Sequence, residues 1–146
     1  MKTVCWIILT LNSCLNADFT RTNSGIVTDN ITSLQWQDNY NDNKHLIKQT
    51  HWSEAIDYCE GLILEGKDDW RVPNIKELQS IIDNEEILFS INSIFKLNKA
   101  GFYWSSTTYQ KDSLSHVWQV NFSNGSTIKG IKRDKISFVR CVRTKE

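Results

Sequence analysis

The chain has 146 residues, enough for one domain and short of two. Its 40% apolar and 23% charged residues are ordinary globular usage, and one Pro with six Gly excludes a collagen-like or low-complexity segment within it. Formal net charge is zero, so no global field recruits nucleic acid or an anionic membrane, and neither is expected as a partner.

The chain opens with Met1-Lys2 and an apolar run from Thr3 to Leu11. That run is well short of the roughly 20 apolar residues of a transmembrane helix. A signal peptide over residues 1–17 is expected instead, with cleavage after Ala17 and a single domain over residues 18–146. The segment Leu11-Asn12-Ser13-Cys14 resembles a lipoprotein box, so lipidation at Cys14 is the alternative. The expected location is secreted or periplasmic, or lipid-anchored through Cys14. Either processing route leaves Cys59 and Cys141 as the two body cysteines. In an oxidising compartment an isolated pair of this kind reads as a disulfide; in a reducing one it would be two buried thiols.

Residues 25–37 read as two short strands around an Asp29-Asn30 turn, since Asx side chains bond nearby backbone amides. Leu34 and Trp36 alternate with Gln35 and Gln37, which predicts one buried and one wet face. Residues 38–48 are polar and read as a loop. A first helix is predicted from Trp52 to Leu62, with Trp52, Ala55, Ile56, Cys59, Leu62 and Ile63 on one stripe and Gly66 beyond its end. This turns Cys59 inward.

The most distinctive stretch contains Asp69, Trp70, Arg71, Pro73, Asn74 and Glu77. Asn74 as N-cap and Glu77 three residues later predict a capping box, opening a second helix with Ile75, Leu78, Ile81 and Ile82 on its buried side. Arg71, flanked by acids and an indole, reads as part of a buried structural ion pair. Strands are then predicted at residues 102–106 and 117–122, with an Asn124-Gly125 hairpin turn leading into residues 127–129. A last strand is predicted over residues 137–143. Two helices followed by antiparallel strands define an α+β domain.

Taken in order, these motifs resemble the bacterial domain found at the C-terminus of the Legionella collagen-like adhesin. They run from Val27-Thr28-Asp29-Asn30 and Leu34-Gln35-Trp36-Gln37, through the Trp52–Glu60 helix and the Asp69–Leu78 stretch. They continue with Tyr103-Trp104-Ser105-Ser106-Thr107 and Val120-Asn121-Phe122, and end in Val139-Arg140-Cys141-Val142-Arg143. The resemblance implies a C-type-lectin-like fold, two helices packed on a twisted antiparallel sheet. It also implies a helix-to-last-strand disulfide, which maps onto Cys59 and Cys141. In the adhesin the domain trimerises behind collagen repeats and binds sulfated polysaccharides.

No catalytic constellation is visible. His45, His51 and His116 lack any triad or elbow context, so the chain is expected not to be an enzyme. Metal-ligand spacing for zinc is absent. Residues 38–43 hold acids and amides, but Tyr40 and Asn43 stand where a calcium loop needs a ligand and a Gly; no cofactor is expected. Glycan binding would use aromatic faces and cations. The candidates are Trp104, Tyr109 and Trp118 with Lys129, Lys132, Arg133 and Lys135. Against this, strand alternation can equally bury Trp104 and Trp118, and the basic stretch can be a solvated turn. Two functional readings follow: an exported module for anionic polysaccharide, or a structural domain that contacts an envelope protein.

Overall fold

The computed structural model describes residues 18–146; the expected leader and Cys14 lie outside them. In chain order the strands are β1 Phe19–Arg21, β2 Ile26–Asp29, β3 Leu34–Gln37, β4 Gln49–Thr50, β5 Phe102–Thr108, β6 His116–Asn121, β7 Ser126–Ile131, β8 Ser137–Phe138 and β9 Val142–Thr144. Helix α1 spans Trp52–Glu60 and helix α2 spans Ile75–Ser80. The strands form two sheets, ordered β1-β2-β3-β9 and β4-β8-β5-β6-β7. All pairings are antiparallel except β5 with β8. The domain is α+β, as its alternation and helical stripes predict.

Side-chain alternation in the larger sheet separates two cores. Tyr103 and Trp104 are neighbours on β5 and must point to opposite faces. Tyr103 packs with Val120, Phe122, Leu78 and Ile81 on the α2 side. Trp104 packs with Val117, Ala55 and Cys59 on the α1 side. The hairpin between β6 and β7 turns at Gly125, whose φ of 73° a residue with a Cβ adopts only under strain.

Several expectations change. Helix α1 stops at Glu60: Gly61 makes the last i→i−4 bond, and Leu62 N–H turns back to Cys59 O at 3.1 Å, a tighter i→i−3 bond that ends the ladder. Ile63 therefore leaves the stripe and is 72% exposed. Gly66 is not the cap but part of a separate turn bridging Leu64 and Lys67. Gln35 and Gln37 are buried rather than wet, since Tyr58 of α1 and Arg143 cover their face. The segment 38–48 is not a purely polar loop: Asp38, Tyr40 and Ile47 are all buried.

The predicted strand over residues 137–143 is two strands in two sheets. Phe138 pairs with Gln49 and Tyr103, whereas Val142 pairs with Trp36. Residues 139–141 cross between the sheets, and residues 139–143 are all buried, so no wet face exists along this stretch.

Candidate functional site

The crossover carries the disulfide. Cys59, inward on α1, bonds Cys141 with a Cα–Cα distance of 5.5 Å, and both residues are fully buried. No free thiol remains in the described body, and the bond fits an extracellular domain. On the other side of Cys141, Arg71 exchanges backbone hydrogen bonds with Val142 at 2.9 and 2.8 Å. The distinctive 69–77 stretch is thereby tied to the last strand.

Asn74 and Glu77 form the predicted capping box: Glu77 N–H donates to Asn74 Oδ1 at 2.9 Å, and Asn74 N–H to Glu77 Oε2 at 2.8 Å. Arg71 grips the same carboxylate with both terminal nitrogens, at 2.8 and 2.7 Å. The acids beside it in sequence are not its partners, and its side chain is 43% exposed rather than buried. Asp69 instead pairs with Arg143, Nη2 to Oδ2 at 3.0 Å. Burial pushes the Glu77 carboxyl up, but the Arg71 guanidinium and the Asn74 amide outweigh it and hold it below the ordinary carboxylate value. Trp70 is buried with its indole N–H on Lys67 O at 3.0 Å. Pro73 is buried before the helix, and its carbonyl accepts from Ser106 N–H at 2.8 Å. These residues build the frame rather than a site.

A second structural centre joins Arg140, within the Val139–Arg143 motif, to Asp38. Arg140, on the crossover, donates Nη1 to Asp38 Oδ1 at 3.0 Å and to Gln37 O at 2.7 Å. Its Nη2 bonds Leu97 O and Asn98 Oδ1. Asp38 also accepts from Arg21 at 2.7 Å and from the backbone amides of Lys96 and Leu97 at 2.9 and 3.1 Å. The sequence marks Arg140 within that closing motif, but shows Asp38 only as an acid in a polar stretch.

The candidate ligand residues do not converge on one site. Trp104 is fully buried, its indole N–H on Thr50 O at 2.8 Å, so it presents no stacking face. The core-facing side of β5 claims it. Tyr109 and Trp118 are partly exposed and meet edge to face, centroids 5.5 Å apart. Lys129, opposite Trp118 on β7, holds its ammonium 4.5 Å from the Tyr109 centroid. The two aromatics, with Thr107, Thr108, Gln110 and Lys111, line an open cleft of about 440 Å³. Lys132 leaves this group and sits 4.4 Å over Trp52 of α1, which packs on the opposite face. Lys135 lies 5.8 Å over Phe102, and the exposed Arg133 pairs with Asp134 at 3.1 Å.

His116 Nδ1 lies 2.9 Å from both Asp112 Oδ2 and Ser115 Oγ. A Ser-His-acid relay needs the hydroxyl and the carboxylate on different ring nitrogens; here both meet Nδ1, and the cluster ties its loop to β6. In the 38–43 segment, Asp38 is consumed by cations and amides, Asn39 Oδ1 accepts from Asn41 N–H, and Asn43 donates to Leu46 O. These groups do not converge on a cation. Among the described residues no group of three or more His, Cys, Asp or Glu is placed to hold a metal, and no helix is long and apolar enough to cross a membrane.

A disulfide-stapled α+β module with an aromatic, cation-topped surface cleft is thus the class that fold and site define. Residues 25–143 match the model of the Lcl C-terminal domain, and the chain belongs to that family of adhesin-associated domains. A comparison with curated proteins returns no match.

Proposed function

We propose that this chain is an exported, non-catalytic binding module for anionic glycans, working through the cleft of Tyr109, Trp118 and Lys129. The observation that carries this reading is the Lys129 ammonium poised over Tyr109, beside the partly exposed Trp118 ring. An aromatic face stacks on the C–H side of a sugar ring, and a cation at its edge pairs with sulfate or carboxylate. Lys111 on the cleft rim supplies a second cation. Export is supported by the disulfide and by the leader-like sequence of residues 1–17.

The test is retention on a heparin-like matrix across a salt gradient. Lys129→Ala and Trp118→Ala each lower the eluting salt concentration, while Lys145→Ala, remote from the cleft, leaves it unchanged. Equal retention of all three variants sinks the reading. A protein-interaction role is favoured by a different observation, the exposed large apolar side chains of Ile87, Leu88 and Leu114.

A further inference from the structure

The cleft of Tyr109, Trp118 and Lys129 owes one wall to the loop between β5 and β6, and that loop has no core of its own. Residues 110–114 are all exposed, so polar bonds rather than apolar burial must hold it. Its neck is closed by Tyr109 N–H on His116 O at 3.0 Å, and its turn by Asp112 N–H on Tyr109 O at 3.0 Å. Its far flank is tied to the end of β7, where Lys132 N–H meets Ser115 O at 2.8 Å and Lys132 Nζ meets Ser113 O at 2.6 Å. Between these ties the Asp112 carboxylate joins the turn to β6. Oδ2 lies 2.9 Å from His116 Nδ1, and Oδ1 accepts from Ser115 N–H at 3.3 Å. Gln110 and Lys111, both on the cleft wall, stand between the neck and Asp112.

The contact between Asp112 and His116 depends on a proton. Bonds from Ser115 and His116 outweigh desolvation and hold the Asp112 carboxyl below its ordinary value. It therefore only accepts, and Nδ1 must donate. A neutral imidazole has one N–H to share between two nitrogens. Ser115 Oγ, 2.9 Å from the same Nδ1, competes by offering its own hydrogen. When Ser115 donates, the Nδ1 lone pair faces the carboxylate and repels it. A protonated imidazole has a hydrogen on both nitrogens, so Nδ1 always donates and the contact becomes an ion pair. Histidine is the side chain that gains this charge between about pH 5 and 8.

The other charged groups around the loop do not substitute for this pair. Lys132, on Ser113 O, and Lys129, over the Tyr109 ring, are both cations. Across the neighbouring cleft, His51, Glu54 and Arg133 are bonded elsewhere, to Lys135 O, Thr50 and Asp134. We propose that His116 and Asp112 form a proton-operated clasp: acid shuts the loop, sets Tyr109 and Lys111 against the cleft, and strengthens its hold on an anionic ligand. The ligand half of this rests on the glycan reading above. A proton shifts the loop only by the worth of the pair it completes. His116 and Asp112 are 28% and 46% exposed, and a pair so screened corresponds to about a two- to five-fold gain in affinity.

Affinity for a heparin oligosaccharide, measured at fixed ionic strength at about pH 8 and about pH 5.5, tests this. Wild type and His45→Gln bind more tightly in acid by that factor, whereas His116→Gln and Asp112→Asn show no gain. Asp112→Asn keeps the charge that His116 acquires. A gain that persists in it means that added charge alone draws the anion, and overturns the inference. Hydrogen exchange of residues 109–115 without ligand gives a readout independent of the glycan. Protection, corrected for the intrinsic pH dependence of exchange, rises in acid in the wild type and in neither variant. Protection that ignores pH overturns the inference. A loop that tightens in acid, in a protein that binds no heparin oligosaccharide at either pH, supports the clasp and sinks the glycan reading.

Discussion

Arg140 donates to Asp38 across 102 residues of chain, and neither side chain reaches solvent. The pair joins the end of β3 to the crossover strand, and through the Lys96 and Leu97 amides it fixes the long irregular segment between α2 and β5. The Arg140 guanidinium also lies 4.6 Å from the Phe95 centroid. One ion pair thus orders three segments that share no secondary structure.

Removing one partner leaves the other charge buried, which typically costs about 3–5 kcal/mol. Asp38→Asn and Arg140→Met are each expected to lose that much in urea unfolding. In the double variant the losses fall well short of their sum, because both act on one network. Additive losses would show that the two side chains stabilise the domain independently.

The Cys59–Cys141 bond closes a separation of 82 residues. In the chain-entropy account that stabilises the fold by about 4–5 kcal/mol. Cys141→Ser is expected to lower the free energy of unfolding in urea by an amount of that order. Wild-type protein treated with reductant should show the same loss, and untreated native protein should resist alkylation.

Trp104 and Trp118 should separate stability from binding. Trp104→Ala opens a cavity in the α1-side core and is expected to cost about 3–5 kcal/mol. Trp118→Ala removes a partly exposed ring and should change the midpoint far less while lowering glycan retention. The reverse pattern would place the stacking surface elsewhere.

Glu77 adds an acid-sensitive contribution. Its folded-state carboxyl is held below the ordinary carboxylate value by Arg71 and the Asn74 amide, so its stabilisation is present above the unfolded value and is lost as pH falls through the folded one. Glu77→Gln should cost on the order of 1 kcal/mol near neutral pH, the size of a capping contact. The gap to wild type should close in acid; a gap that stays constant with pH would mean that charge is not involved.

Gly130 makes room for Gln119. A Cβ there would overlap the Gln119 carboxamide, which is fully buried and donates to Ser137 Oγ at 2.7 Å. Gly130→Ala is expected to lower the melting temperature, and adding Gln119→Ala should recover part of the loss. No recovery would mean the strain lies in the backbone.

Much of this frame was legible in the residues. The Asn74-Glu77 box, the inward Cys59, the Asn124-Gly125 turn and the β6 alternation all arise from interactions within a few positions, which local pattern encodes. Residues 137–143 alternate like one strand, and alternation cannot show that one segment serves two sheets. Gln35 and Gln37 were misjudged because Tyr58 and Arg143, which cover them, are distant in sequence. The candidate site was half legible. Tyr109, Trp118 and Lys129 meet because β6 and β7 pair in register, whereas Lys132 and Lys135 diverge once the strand ends.

The crossover also imposes an order of events. Phe138 pairs with β4 and β5, Val139 N–H bonds Lys48 O, Arg140 holds Asp38, Cys141 closes on α1, and Val142 pairs with β3. A ribosome delivers these residues after nearly everything they join. Until they emerge, neither sheet is complete, α1 has no covalent tether and Asp38 lacks its buried counter-charge. The domain therefore closes late, by non-local contacts of the kind that slow folding, and remains an open, threadable chain for most of its synthesis.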